Sequence, residues 1–448
     1  MNGAIPSSTG LMTERQSGSR ESCNYGASDS ASATGEFTTR VYHGDAGAMP
    51  DIADLWHACL AACPAEQQLF NFNWYDSWTR AYCAGAPWSG RSCSVVAFDP
   101  AGSPRAILPL VYRRAGGLNW LTHAGFYQPI RSFPCVPQSA TAACSAIAAA
   151  LVNDVKGWDA LRLGSLDSTP PERAALLQAI DAVLRHHIEI PRGRTIVNRL
   201  RGSFDEYISS KTGKKFETYA RRFAREPGAR IQHFSNPAAA EAAGMYRDLQ
   251  TVEQHSWLAE ADGDLRFDSP ADLAFWQRVT ERSLTPGGHL DVWIAYIGEK
   301  PVAFRFVVSA GTTDYLIANQ YDQAYHKLDI GWVLYLQHLK LAIQRGTQLI
   351  DMAPGDLHYK GRLGGEEADQ RLDRIFFRNA FKGMVLTRAF GSLRKLKTWL
   401  STGPGIARRI ATSLPRFLSS MFAAAMGIEA RDDSRDLIAS LQTVAQFC

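Results

Sequence analysis

Residues 292–308 read VWIAYIGEKPVAFRFVV: an apolar strand, a turn at Gly298-Glu299-Lys300, and a returning strand opened by Pro301-Val302-Ala303. Proline suits the first position of a strand because it lacks the N–H that a ladder interior uses. The same plan stands earlier, where Ser94-Val95-Val96-Ala97-Phe98 runs into Asp99-Pro100-Ala101-Gly102 and returns as Pro104-Arg105-Ala106-Ile107-Leu108-Pro109-Leu110-Val111-Tyr112. An apolar helix, a glycine and a further strand follow each hairpin: 143–155, Gly157 and 159–164 in the first case, 330–344, Gly346 and 349–352 in the second. The hairpins are offset by 197 residues and the helix–strand units by 189, a difference that one loop absorbs. Four elements recurring in order point to a duplicated α/β unit; two unrelated α/β domains are the alternative.

The rest of the chain fits around this repeat. A length of 448 residues favours two or three domains at about 100–200 residues each. The composition, 46% hydrophobic and 21% charged, is that of a globular protein. Residues 1–40, rich in Ser, Thr, Gly and Ala, are expected to form a disordered arm. The folded copies are expected at 41–200 and 201–380, with a basic helical segment over 381–448. The eight cysteines show no CxxC pair and no nearby histidine spacing, so they support neither a zinc site nor a disulfide framework, and a reducing cytoplasmic setting is expected. No metal is expected. The first residues lack a cationic stretch followed by an apolar one, which argues against a secretory leader. Nor does any stretch reach the roughly 18 apolar residues of a membrane span.

Charge is unevenly spread. The net +4 hides ten cations between Arg374 and Ile428 with no Asp or Glu among them, which leaves the remainder of the chain at −6. Phe381, Val385, Phe390, Leu393, Leu396 and Leu400 interleave with those cations, as in an interfacial helix drawn to anionic lipid; packing of the same apolar side on the preceding domain is the alternative, and Gly391, Gly403, Pro404 and Gly405 interrupt any single long helix. No fold or aromatic motif for nucleic acid accompanies the charge.

Strand–turn–strand–strand–helix–strand resembles the core of GNAT acyltransferases, and its duplication resembles the tandem arrangement of the Fem aminoacyltransferases. The resemblance is closest to the BioF2-like acetyltransferase group associated with cellulose and exopolysaccharide synthesis. It is carried by 211–225 (KTGKKFETYARRFAR), Pro301-Val302-Ala303, Asn319-Gln320-Tyr321-Asp322 with Tyr325, Gly331, and Asp351 through Gly355 to Tyr359-Lys360. The first half resembles the family more loosely, as a degenerate copy. The implied fold is α/β, with tandem GNAT-like domains, each a mixed, mostly antiparallel sheet flanked by helices. The implied donor is acetyl-CoA or another acyl-CoA, its pyrophosphate near Lys327, Ile330 and Gly331 at a helix start, where free N–H groups and the helix dipole favour an anion. That loop has a single glycine, unlike the glycine-rich R/Q-x-x-G-x-G/A loop of ordinary GNATs.

Acyl transfer needs a base for the acceptor, stabilisation of the oxyanion, and a proton for the thiolate. No nucleophile elbow is present, which favours direct attack by the acceptor. Candidate bases are Asp351, Asp356 and His358. By resemblance the Tyr359-Lys360 pair lies beside the cleft. Asn319 and Tyr321, two apart on a strand, share a face and are candidates for lining the acceptor cleft. On the basic stretch, Lys214, Arg221 and Arg225 form either a solvated face or a wall for an anionic acceptor, with Phe216, Tyr219 and Phe223 for packing. His255 and Trp257 end a helix over 238–254, where Trp257 is either an acceptor contact or a core residue. The expected function is acyl transfer to a sugar or cell-envelope precursor. Fem-like transfer from aminoacyl-tRNA and a non-catalytic accessory role in a polysaccharide synthase are the alternatives.

Overall fold

A computed structural model describes residues 28–30, 37–44, 50–83, 91–115, 117–125, 127, 132–166, 170–260, 265–282, 284, 288–355 and 357–388. The first copy contains β2 (Thr38–Gly44), α1 (Pro50–Ala61), α2 (Phe72–Tyr82), β3 (Ser92–Phe98), β4 (Pro104–Ala115), β5 (Leu118–His123), α3 (Ala140–Asn153), β6 (Ala160–Leu166), α4 (Pro171–Val183) and β7 (His187–Arg199). A short strand, β1 (Ser28–Ser30), precedes it, and α5 (Phe204–Ser209) and α6 (Lys211–Phe223) follow. The second copy contains β8 (Ala229–Ser235), α7 (Ala239–Gln254), α8 (Trp257–Glu260), α9 (Pro270–Arg282), β9 (His289–Ile297), β10 (Lys300–Ala310), β11 (Thr313–Tyr321), α10 (Ile330–Arg345), β12 (Leu349–Pro354), α11 (Leu357–Arg362) and β13 (Glu366–Phe377).

The thirteen strands among the described residues belong to one mixed sheet in the order β1-β2-β3-β4-β5-β6-β13-β7-β12-β11-β10-β9-β8. Only β5–β6 and β11–β12, the equivalent pairs of the two copies, are parallel. Both hairpins carry a register shift beside the proline, between Ala97 and Phe98 in one and between Pro301 and Ala303 in the other. A residue without an N–H interrupts the ladder, and a bulge accommodates the interruption.

The copies exchange their last strands. β13 pairs with β6, β7 pairs with β12, and β7 and β13 pair with each other. Buried charges pin this seam. Asp373 receives Arg162 at 2.5 Å and Arg192 at 2.9 Å; burial alone would raise its carboxyl, but the two arginines outweigh that and hold it below the ordinary range.

The helices close the two faces. α6 and α10 cover one face of the second copy through Phe216, Tyr219, Phe223, Trp332, Tyr335 and Leu339. On the opposite face α1 and α2 of the first copy meet α7 and α9 of the second in a shared aromatic core. There Trp276 makes edge contacts with Trp74 at 5.8 Å, Tyr127 at 4.9 Å and Phe306 at 4.8 Å, a favoured arrangement of ring quadrupoles. The copies therefore share both a sheet and a core.

Two expectations need adjustment. Ser28–Ser30 and the start of β2 fall within the arm expected to be disordered; β1 pairs with β2 at Ser28↔Val41, because an edge strand needs backbone groups rather than apolar side chains. Trp257, which opens the four-residue α8, is 50% exposed and is no core residue. At the start of the basic segment the backbone is helical over 380–388; Leu386 is buried with Leu118, Ile188, Ile190 and Phe377, whereas Phe381 is 71% exposed. The segment beyond 388 lies outside the described residues. Among the described residues no helix is long and apolar enough to cross a membrane, and six cysteines, Cys59, Cys63, Cys83, Cys93, Cys135 and Cys144, are buried free thiols.

Candidate functional site

β11 and β12 pair only where Thr313–Tyr315 lies beside Leu349–Asp351. Beyond that point β11 runs on to Tyr321 beside β10, while β12 stays with its other neighbour, β7, as far as Pro354↔Thr195. The strands thus part into a wedge whose facing backbone edges are not spent on each other. From the end of β11 a 3-10 turn, Gln323–Leu328, leads to Asp329 in the left-handed region at φ 54°, and α10 starts there. Asp329 does not cap α10 with its side chain, so the first turn presents backbone donors and a positive dipole end.

Asn319, Gly331 and Tyr359 converge at this wedge. The Asn319 Nδ2 donates to Tyr359 Oη at 3.2 Å. A Cβ on Gly331 would lie 3.4 Å from Asn319 Nδ2 and 3.8 Å from Tyr359 Oη, so the helix start sits directly against the pair, with room for a methyl group but not for a larger side chain without displacement. Trp332 meets Tyr359 edge-on at 5.3 Å and Phe216 of α6 at 4.7 Å, while Arg362 lies over its ring at 4.6 Å. Burial raises the Tyr359 phenol; Arg305 and the bond from Asn319 oppose that. Tyr321, two residues along β11, is half-buried and packs in the same cluster as Tyr359.

Other expected residues are placed differently. Lys360, expected beside the cleft, turns its ammonium back onto Met352, Ala353 and Pro354, donating to the latter two carbonyls at 2.8 and 2.9 Å. It braces the end of β12, where Ala353 has φ 59°. Asp351, expected as a base, accepts from Ala353 N at 2.7 Å and from Arg371 at 2.9 Å, so both its oxygens are engaged in structure. Asp356 lies outside the described residues, as does the side chain of His358, although its backbone is in α11. Lys327 is exposed, and its carbonyl accepts from Arg222 at 2.9 Å. The Ile330 side chain is buried in the core, which leaves only its backbone for a ligand.

Lys214 and Arg221 are exposed on α6, the helix packed beside α10, while Phe216, Tyr219 and Phe223 make the packing. Trp257 stays near the turn before α10, because Gln323 N donates to the carbonyl of neighbouring His255 at 3.0 Å.

Beneath the wedge lies a buried polar chain that sequence reasoning missed. Arg305, 0% exposed, donates from Nε to His338 Nδ1 at 2.9 Å, and His338 Nε2 bonds Asp314 at 2.9 Å. Nearby, Tyr335 donates to Leu363 O at 2.7 Å and accepts from Asn198 of β7 at 2.6 Å, so the exchanged strand supports α10. A lone cation inside the apolar run VAFRFVV was the available signal.

The first copy has a matching wedge where Trp120–Thr122 lies beside Ala160–Arg162, with Arg162 at the register position of Asp351. Counted from the helix starts, Thr141 and Arg173 replace Gly331 and Tyr359. The convergent trio belongs to the second copy.

Residues 210–361, from the start of α6 to α11, match the family model described as "Acetyltransferase (GNAT) domain". No curated protein matches the chain. Similar solved structures include FemX, at 9% identity and a TM-score of 0.49 over 72% of this chain and 95% of that one. A tandem GNAT protein from the clavulanic acid biosynthesis pathway is 13% identical, with a TM-score of 0.41 over 76% and 99%. The C-terminal domain of a putative lysylphosphatidylglycerol synthetase from Agrobacterium fabrum is 12% identical, with a TM-score of 0.42 over 76% and 95%.

Proposed function

We propose that the β11–β12 wedge holds the thioester arm of an acyl-CoA and that the chain transfers the acyl group to an amine or hydroxyl of an anionic acceptor, a sugar or cell-envelope precursor such as one used for exopolysaccharide. The observation that carries this reading is the meeting of Asn319, Gly331 and Tyr359 at the wedge, inside the segment that matches the GNAT domain. The residues fit such a donor: the strand edges can take amide groups, and the start of α10, with no side-chain cap, can take a phosphate. When bound, the thioester would supply an activated acyl carbon.

The protein's share is positioning and a proton. Tyr359 gives its hydroxyl proton to the departing sulfur as the carbon–sulfur bond breaks and the bond to the acceptor forms. The acceptor's own proton leaves to water, and the phenol is reprotonated from solvent. Lys360 and Asp351 fix the strand end from which α11 carries Tyr359 inward. Isothermal titration with acetyl-CoA and longer acyl-CoAs tests the reading; failure of every CoA ester to bind would overturn it.

A second reading, Fem-like transfer from aminoacyl-tRNA, draws on the exposed cations of α6 beside the wedge, Lys214, Lys215 and Arg221. It requires a tRNA-dependent product, and a reaction indifferent to ribonuclease excludes it.

A further inference from the structure

Arg305 is the unusual residue of this molecule. A guanidinium removed from water is costly unless it is paired, yet among the described residues its Nη1 and Nη2 have no hydrogen-bond partner, and neither has the Oδ1 of Asn319 directly across the ladder. Its Nε is committed to His338 Nδ1. Because a guanidinium can only donate, Nδ1 is the acceptor and the imidazole proton sits on Nε2, directed at Asp314. Thr347 also donates to Asp314, at 3.3 Å. The chain is therefore polar end to end: a carboxylate at the paired root of the wedge, a neutral imidazole, and a cation below Asn319, which in turn holds Tyr359 Oη.

We propose that Asp314, His338 and Arg305 form a positioning device that presents positive charge beneath the Asn319–Tyr359 pair and favours proton release from Tyr359 during transfer. This rests on the proton-donor reading of Tyr359. The other groups facing that phenol do not substitute for Arg305. Tyr321 on β11 opposes its ionisation. Arg362 on α11 is exposed and screened by solvent. Lys360 is turned onto carbonyls, and Tyr335 on α10 is pushed up to about 12 by burial. Burial and Arg305 together hold His338 below the usual histidine range, against the pull of Asp314 and Asp291, so the link stays neutral. Arg305 itself lies over the Tyr335 ring at 5.0 Å, which holds the guanidinium in place.

The opposite signs at the two ends supply the test. The full chain is labelled with ring 13C-tyrosine, the Tyr359 resonance is assigned by its loss in Tyr359→Phe, and its titration is followed by NMR. Arg305→Met is expected to move the midpoint to higher pH, and Asp314→Asn, which leaves the cation less compensated, to lower pH. Turnover of acyl-CoA by Arg305→Met is expected to fall about tenfold in kcat at neutral pH, with KM little changed. A merely structural role would shift both variants in the same direction, or neither, and either result overturns the proposal. Should Arg305→Met fail to fold, Arg305→Lys takes its place: it keeps the charge, so the midpoint must stay near wild type while Asp314→Asn still moves down, and a rise with Lys or no fall with Asn refutes the device. The titration needs no acyl donor, so failure of the CoA reading alone leaves its result intact.

Discussion

Asp351 can be interrogated through its partner. Asp351→Asn keeps an oxygen for the bond from Ala353 N but sets a neutral amide against Arg371, which is 2% exposed. Leaving one member of a buried ion pair unmatched costs about 3–5 kcal/mol. Arg371→Met strands Asp351 in the same way and also removes the bond to Thr195 of β7. Combining the two removes both charges, so the double variant should lose only the lesser hydrogen bonds, about 1–2 kcal/mol. Urea denaturation followed by circular dichroism on all four proteins closes the cycle. Additivity within about 0.5 kcal/mol would refute the pairing on which the structural role rests. Turnover adds a separate check: the double variant should keep measurable activity, and a stable but inactive double variant would restore Asp351 as a base.

Three further outcomes are expected. Acid should destabilise the fold through Asp291 and Asp373. Burial would raise both, but His233, His289 and Arg345 hold Asp291 down, as Arg162 and Arg192 hold Asp373. A depressed carboxyl contributes stability that is present above its unfolded value near about 4 and lost as pH falls toward the folded value, so melting temperature should drop below that point, and less steeply in Asp291→Asn. Gly331→Ala should be tolerated, with its new atom 3.4 Å from Asn319 Nδ2, whereas Gly331→Leu should abolish acyl-CoA binding in calorimetry while the melting curve stays cooperative. Lys214→Glu with Arg221→Glu should raise KM for a phosphate-bearing acceptor and flatten its dependence on salt, because exposed charges act at long range and are screened; an unchanged salt profile would assign these cations to solvation alone.

The hairpins, α3, α10 and the glycine stop at Gly346, with φ 79°, were legible because alternation, proline and glycine are local signals. β7 and β13 were not. HIEIPRGRTIVNR and EEADQRLDRIFF break their apolar pattern with charges, and several of those charges find partners across the seam: Arg162 and Arg192 meet Asp373, and Arg371 meets Thr195, each more than 150 residues away in the chain. The wedge residues Asn319, Gly331 and Tyr359 could be placed from their motifs. The work of Asp351 and Lys360 could not, because an aspartate or lysine at a strand end reads the same whether it meets a substrate or a backbone carbonyl. Arg305 announced itself by its apolar neighbours, but its link to His338 and Asp314 depends on how α10 lies over the sheet.

The exchanged strands also set a timetable for synthesis. β6 is complete at Leu166, but its neighbour β13 begins at Glu366. At about 5–20 residues per second on the ribosome, the first copy waits roughly 10–40 s with an unpaired edge. β7 waits for β12 over a similar interval, so neither wedge has its full sheet behind it until nearly the whole described chain has emerged. An edge open for that long invites pairing with another nascent chain, and the charges along β7 and β13 that obscured them in the sequence would discourage that pairing.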